Sequence, residues 1–328
     1  MRFDIEIPTC SEGVFVPAGY ASPQQVVECV QLAERLGFHG VWGSDFIAVT
    51  PAAGVPAGER PNWYEPMVTL AYAAAVTTRI KLGTGLIVLP NRDPVILAKQ
   101  VATLDRFSNG RFALGVGIGA WRQELAAIAT WRDRPHRGDM LSEFVEVIRR
   151  LLDHDSGQFS FDGNYTSIRD VELQPKPLQS PLPIYMPGRN PASLDRIARF
   201  GDGLMVLGTR AADQMEALSG VLESHGRDIS EIDVVAEAEL HLGVTHEAAV
   251  ASYRRTRLGQ LREATRRLDE VLANNWIGTA EQAAESINRL QEQGIDHVNA
   301  LHVAADSLDE RLELMHRFAE DVMPLVGS

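Results

Sequence analysis

Apolar residues recur along the chain with two periods that alternate. Residues 3–8, Phe-Asp-Ile-Glu-Ile-Pro, alternate with period two and predict a first strand. Val26, Val27, Val30, Leu32 and Ala33 then keep helical spacing, with Ser22 placed as N-cap, Pro23 at the first helical position and Gly37 as terminator. A short strand over 39–42 follows. Met67, Leu70, Ala71 and Ala74 predict a second helix, leading into a strand over 80–89, a helix over 94–107 and a strand over 111–117. A strand, a crossover helix and a strand in sequence make the two strands parallel neighbours. Met140, Phe144, Val147, Ile148 and Leu151 repeat as a helix. Beyond them, strands are expected over 183–186, 203–207, 233–244 and 297–303, separated by helices over 192–200, 213–224, 279–293 and 308–322.

Strand and helix alternate to a count near eight, and no compositional break divides the chain. The pattern predicts an α/β protein, a (β/α)8 TIM barrel in one domain covering 1–328, in preference to a doubly wound sheet. Three stretches interrupt the alternation. Residues 47–62 hold three prolines and two glycines without a period and read as a long loop. Residues 155–180 carry a hairpin signal turning at Asp162-Gly163, then a proline-punctuated run. Residues 245–276 are helical and rich in arginine, but interspersed Glu and Asp mark a solvated face.

Composition narrows the function classes. The chain has 45% hydrophobic and 23% charged residues, as ordinary globular proteins do, with 44 carboxylates against 31 Lys plus Arg. An acidic balance without a basic block argues against nucleic acid or anionic membranes as partners. No run approaches the roughly 18 apolar residues of a membrane span, so a cytoplasmic protein is expected. Cys10 and Cys29 are too few for a disulfide framework or a cysteine zinc site, and Cys29 sits in a helical pattern as a buried thiol.

In a barrel of this kind the active site lies at the C-terminal ends of the strands. That rule selects Asp45 after the second strand, Thr84, Gly85 and Leu86 after the third, and Gly117 and Gly119 after the fourth. It also selects Gly188, Arg189 and Asn190 after the fifth, Gly208 after the sixth, and His241 and His302 at the ends of the last two. The third and fourth strands both end in glycines, which suggests a large flat ligand lying across them. Gly115-Val-Gly-Ile-Gly119 lacks the Gly-x-Gly-x-x-Gly spacing, so a Rossmann site is not expected. Backbone N–H groups near Pro191, with the Arg189 guanidinium, would suit a phosphate. Histidine titrates near neutrality, which makes His241 and His302 candidates for acid–base work. No His-x-His lies on the first strand, no metal site is expected, and no Gly-x-Ser-x-Gly elbow is present.

The runs Leu82-Gly-Thr-Gly-Leu-Ile-Val-Leu-Pro90, Ala98-Lys-Gln-Val-Ala-Thr-Leu-Asp105 and Ser108-Asn-Gly-Arg-Phe-Ala-Leu-Gly-Val-Gly117 resemble the bacterial luciferase-like monooxygenase superfamily. They look most like its branch that uses the deazaflavin coenzyme F420. Further matches extend from Leu36-Gly-Phe-His-Gly-Val-Trp42 to Gly278-Thr-Ala-Glu281. The resemblance implies the same barrel, a homodimer sharing the helices near 65–76 and 95–107, and hydride transfer between F420 and a small organic substrate held under the 47–62 loop. It implies a cofactor tail at Gly188–Asn190 and a non-proline cis peptide at Gly85–Leu86; Asp45, and by their place at the strand ends His241 and His302, are the catalytic candidates. Two usual proton-transfer positions depart from the family: Phe46 follows Asp45 where a histidine is common, and Ala120 replaces an acidic residue of the sugar-phosphate dehydrogenases. Sugar-phosphate oxidation is therefore not expected. The alternatives are a monooxygenase using reduced FMN and oxygen with a separate flavin reductase, and a flavin-binding protein without turnover.

Overall fold

Eight parallel strands close on themselves in the computed structural model, which describes residues 1–130, 136–207 and 211–327. They are β1 (Arg2–Ile7), β2 (Gly40–Gly43), β3 (Lys81–Thr84), β4 (Phe112–Gly117), β5 (Ile184–Pro187), β6 (Gly203–Leu207), β7 (Asp233–Leu242) and β8 (His297–Val303). Each pairs with its neighbour in sequence, and β8 returns to β1 with Arg2 opposite His297 and Ile5 opposite Leu301. The helices between them are α1 (Pro23–Leu36), α2 (Pro66–Val76), α3 (Pro94–Phe107), α4 (Arg137–Leu152), α5 (Pro191–Phe200), α6 (Ala212–Ser224), α7 (Ala280–Glu292) and α8 (Leu308–Arg317). The expected (β/α)8 barrel is the fold observed.

Local chemistry sets the element boundaries. Ser22 and Gln25 form a reciprocal capping box at the start of α1, and Gly37 ends it at φ 83°, a left-handed conformation that glycine adopts without a Cβ penalty. Thr279 and Gln282 repeat the capping box on α7. The stretch expected as one strand over 80–89 breaks: β3 stops at Thr84, the Gly85–Leu86 peptide is cis, and Ile87–Val88 resumes beside β4. The hairpin near 160 is present as Phe159–Asp162 against Ser167–Val171. Its turn is longer than expected, because Glu143 accepts the backbone N–H groups of Asn164, Tyr165 and Thr166. Residues 245–276 hold three helices (His246–Tyr253, Arg257–Thr265, Leu268–Ala273) and a short strand, Trp276–Gly278, that continues the edge of β7. A further helix, Arg122–Ile128, follows β4.

The alternation in β1 is inverted relative to an exposed sheet. Phe3, Ile5 and Ile7 pack outward into the main core with α1 and α8, while Asp4 and Glu6 are buried toward the barrel axis. Inside the barrel lie three layers. At the floor, His297 bridges Asp4 (Nε2 to Oδ2, 2.9 Å) and Asp233 (Nδ1 to Oδ2, 2.9 Å), and His39 Nδ1 reaches Asp4 Oδ1 at 2.7 Å. Above it Trp42, Tyr185, Met205 and Val235 form an apolar plug. The plug is anchored downward, since Trp42 Nε1 donates to Asp4 at 2.6 Å and the Tyr185 hydroxyl to Asp233 at 2.7 Å. The mouth is the third layer.

Candidate active site

The mouth is polar on one side and aromatic on the other. On β1, Glu6 accepts from the Ser44 hydroxyl at 3.3 Å and is paired through Oε2 with His302 Nδ1 on β8 at 2.8 Å. Burial would lower the His302 pKa, but the Glu6 carboxylate outweighs it and the imidazole is shifted upward. On β7, Glu239 accepts the Tyr253 hydroxyl at 2.6 Å and pairs with Arg262 from the second helix of the 245–276 insertion. Glu237, two residues back on the same strand, lines the same cavity of about 400 Å³ with His302, Arg262 and Arg189. Across the mouth Phe46 stacks on Trp121 (centroids 4.3 Å apart, planes at 24°), and Trp63 lies 5.2 Å from Phe46. Aromatic faces thus line this side of the mouth.

A second cavity, about 470 Å³, opens beside the first, and Arg189 lines both. Arg122, Arg137, Arg189 and Arg196 converge on it, with Asp139 as a nearby carboxylate. Arg137 donates to the carbonyls of Ile118 and Gly119 at 3.0 and 2.9 Å, and its buried Nε has no partner among the described residues. Burial, then the like charge of Arg122, pushes the Arg137 pKa down, and burial lowers that of Arg196. Guanidinium groups gathered with so little carboxylate to balance them are arranged for an anion.

Several expectations need correction. The N–H groups of Arg189 and Asn190 are not free for a phosphate: both donate to Ser193 Oγ at 3.0 Å, which makes the Gly188–Asn190 turn a helix cap. The Arg189 guanidinium remains exposed on the cavity. Asp45 is enclosed, its carboxylate 0% exposed, bonded to Arg92 (2.6 Å) and to the Val88 N–H (2.9 Å). Burial pushes it upward while Arg92 opposes. His241 is not at the mouth. Where β7 turns to pair with Trp276–Gly278, the imidazole lies under the insertion, Nδ1 against the Ala304 carbonyl (2.7 Å) and Nε2 against Ser252 Oγ (2.5 Å). Gly208 lies outside the described residues.

The strand-end glycines make room for the protein's own groups. A Cβ on Gly83 would come within 2.5 Å of the Trp42 indole, and one on Gly117 within 2.7 Å of Leu86 Cδ1. A Cβ on Gly119, which has φ +78°, would meet Val88 at 2.6 Å. Thr84 is wholly buried, exchanging hydrogen bonds with Gly115 at 2.8 and 2.9 Å, so of the third-strand group only Gly85 and Leu86 stand above the plug. The sequence reading missed Glu6, Glu237, Glu239 and the arginines at 122, 137 and 196. Ala-Glu-Ala-Glu at 236–239 carried a usable signal: two acids at i and i+2 share a face, and in a helix-wrapped parallel barrel that face is the interior.

The luciferase-like monooxygenase family matches residues 1–297, and the chain belongs to it. It is 26% identical to an F420-dependent glucose-6-phosphate dehydrogenase of Amycolatopsis mediterranei, covering 92% of this chain and 94% of that protein. It is 25% identical to the oxygenase component of a flavin-dependent trigonelline monooxygenase of Acinetobacter baylyi, over 92% and 89%. Among solved structures, an F420-dependent secondary alcohol dehydrogenase in complex with an F420–acetone adduct superposes with TM-score 0.78 at 20% identity, covering 100% of this chain and 99% of the other. The protein is an oxidoreductase of this luciferase-like class. No helix among the described residues is long and apolar enough to cross a membrane.

Proposed function

We propose that the protein transfers hydride between coenzyme F420 and a polar organic substrate. The observation that carries this reading is the arginine-lined cavity joined to the barrel mouth through Arg189. The Arg137 Nε, without a partner among the described residues, and four converging guanidinium groups suit a tail bearing a phosphodiester and carboxylates better than a single phosphate. Relatives that use F420 support the same choice. When bound, the deazaflavin supplies two electrons as hydride at a ring carbon.

The chain's own residues then have separable tasks. Arg137, Arg189 and Arg196 hold the tail. Gly85 and Leu86 form the ledge above the Trp42–Tyr185 plug on which a ring would rest. Phe46, Trp63 and Trp121 wall one side and exclude water, which strengthens electrostatic interactions inside. Glu6 holds a proton on His302. Asp45 acts through Arg92, keeping the 88–92 turn in place, and is a positioning residue.

A reduced-FMN monooxygenase with a partner reductase is the second reading, favoured by the trigonelline monooxygenase relative. Titrating the purified protein with F420 and with FMN, and following fluorescence, separates them. Saturable quenching by F420 with much weaker FMN binding is expected. The reverse order transfers the assignment to FMN, and binding of neither removes both.

A further inference from the structure

Along β7 the side chains at 233, 235, 237 and 239 share the interior face: Asp233 belongs to the floor, Val235 to the plug, and Glu237 and Glu239 to the mouth. The two glutamates keep different company. Glu239 is held by Tyr253 and Arg262. Glu237, half-buried on the cavity, receives no hydrogen bond among the described residues. The charged groups around it are His302 on β8, Glu6 on β1 and Arg262 from the insertion, with Arg189, Glu239, Arg266 and Glu270 elsewhere on the cavity wall. Burial, and after it Glu6, favours the protonated acid, while His302 and Arg262 oppose. Opposite Glu237, β8 carries a bulge between Val298 and Ala300. Its extra residue, Asn299, has both amide atoms buried without a partner among the described residues. A carboxyl that is unpartnered, open to a cavity and beside a cation is arranged to release a proton and to be stabilised afterwards.

We propose that Glu237 is the proton-transfer residue of this site and that the substrate is a carbonyl compound or the matching alcohol. The assignment rests on the deazaflavin reading. Arg262 and Arg266 on the cavity wall suit a hydroxylated or carboxylated chain better than a hydrocarbon. In the reducing direction the carbonyl carbon takes a hydride, with its two electrons, from the reduced deazaflavin. The carbonyl π bond breaks and the oxygen takes the Glu237 proton. Oxidation of the cofactor frees one proton to solvent, matching the one Glu237 takes back. In the oxidising direction the Glu237 carboxylate accepts the hydroxyl proton as hydride leaves the carbinol carbon.

Infrared difference spectra of the unliganded protein, wild type against Glu237→Gln, read this carboxyl directly. The expected result is the carbonyl band of a protonated acid, lost in the variant, that persists above the ordinary glutamate range before converting to carboxylate as pH rises. The melting temperature should not fall, because no described residue is hydrogen-bonded to the Glu237 carboxyl and its ionised form is disfavoured by burial. A wild-type band that converts to carboxylate within or below the ordinary glutamate range overturns the assignment whichever cofactor binds. Single turnovers with reduced deazaflavin, using cyclohexanone and dihydroxyacetone as probes, give the second readout. Glu237→Gln should slow hydride transfer by roughly 10²- to 10⁴-fold at unchanged cofactor affinity, with Glu237→Asp recovering part of the rate. Equal rates overturn the role of Glu237. A wild type that binds the cofactor but reacts with neither probe overturns the carbonyl class. Failure to bind the deazaflavin at all removes the underlying reading, independently of the infrared result.

Discussion

Replacing His297 by glutamine tests the floor of the barrel. Its imidazole is 2% exposed and bonded at both nitrogens to carboxylates. Burial lowers its pKa, but the hydrogen bonds to Asp233 and Asp4 outweigh this and raise it from 6.5 to about 9. A group whose folded pKa is raised contributes stability that is fully present below the unfolded value and lost as pH rises through the folded one. The difference of about 2.5 units corresponds to about 3 kcal/mol. That contribution is complete below pH 6.5, declines across the interval to pH 9 and is absent above it. Asp4 and Asp233 act in the opposite sense. Burial would raise them, yet their bonds to His297 hold both below the ordinary range of 3.8, so their contribution fails only in acid. Urea unfolding of wild type and His297→Gln at intervals from pH 5.5 to 9.5 measures the difference, with titrations common to both proteins cancelling. The wild-type advantage should shrink by about 3 kcal/mol between pH 6 and pH 9.5. A difference that does not change with pH would refute a charged His297 and leave only neutral hydrogen bonds at the floor.

Other outcomes follow from the same geometry. Arg189→Ala should raise the F420 dissociation constant roughly 10-fold or more, as expected for a lost charge-assisted hydrogen bond, while an exposed guanidinium contributes little to the melting temperature; an unchanged constant contradicts the tail site. Gly83→Ala forces a methyl against Trp42 and should cost about 1–3 kcal/mol, read as a lower urea midpoint, with Trp42→Phe in the same chain restoring part of it. Val68, Tyr72, Ile96 and Phe107 are 69%, 60%, 60% and 79% exposed on α2 and α3, and we propose that this face closes a C2 homodimer. Light scattering should give a dimer mass for the wild type and a monomer for Tyr72→Glu with Phe107→Glu; a monomeric wild type at micromolar concentration rejects the interface.

What could be read from the sequence was local. Capping boxes, terminating glycines and alternating periods placed every barrel strand and helix because each acts over a few residues, as at Ser22, Gly37 and Thr279. The interior polar layers could not be read in that way. Asp4 and Glu6 look like the wet side of a half-exposed strand, and only barrel closure turns them inward to meet His297 and His302, some three hundred residues away. His241 shows the converse. Its position on β7 is read correctly, but the last residues of that strand leave the mouth to pair with Trp276–Gly278, a partner that periodicity does not announce. From the sequence, the glycines ending β3 and β4 suggest a flat ligand lying across them. Their reason is the shape of Trp42 and Leu86, which is a property of packing across strands.

Among the described residues, the plug formed by Trp42, Tyr185, Met205 and Val235 separates two groups of buried ionisable side chains that share no hydrogen bond with one another. Asp4, Asp233 and His297 lie below it, and Glu6, Glu237 and His302 above. Proton exchange at the mouth is therefore expected to run through the open end of the barrel and not along its axis. It also means that acid and alkali speak to the two ends separately. A floor variant should move the melting curve along the pH axis and leave the pH–rate profile where it was, whereas a mouth variant should do the reverse.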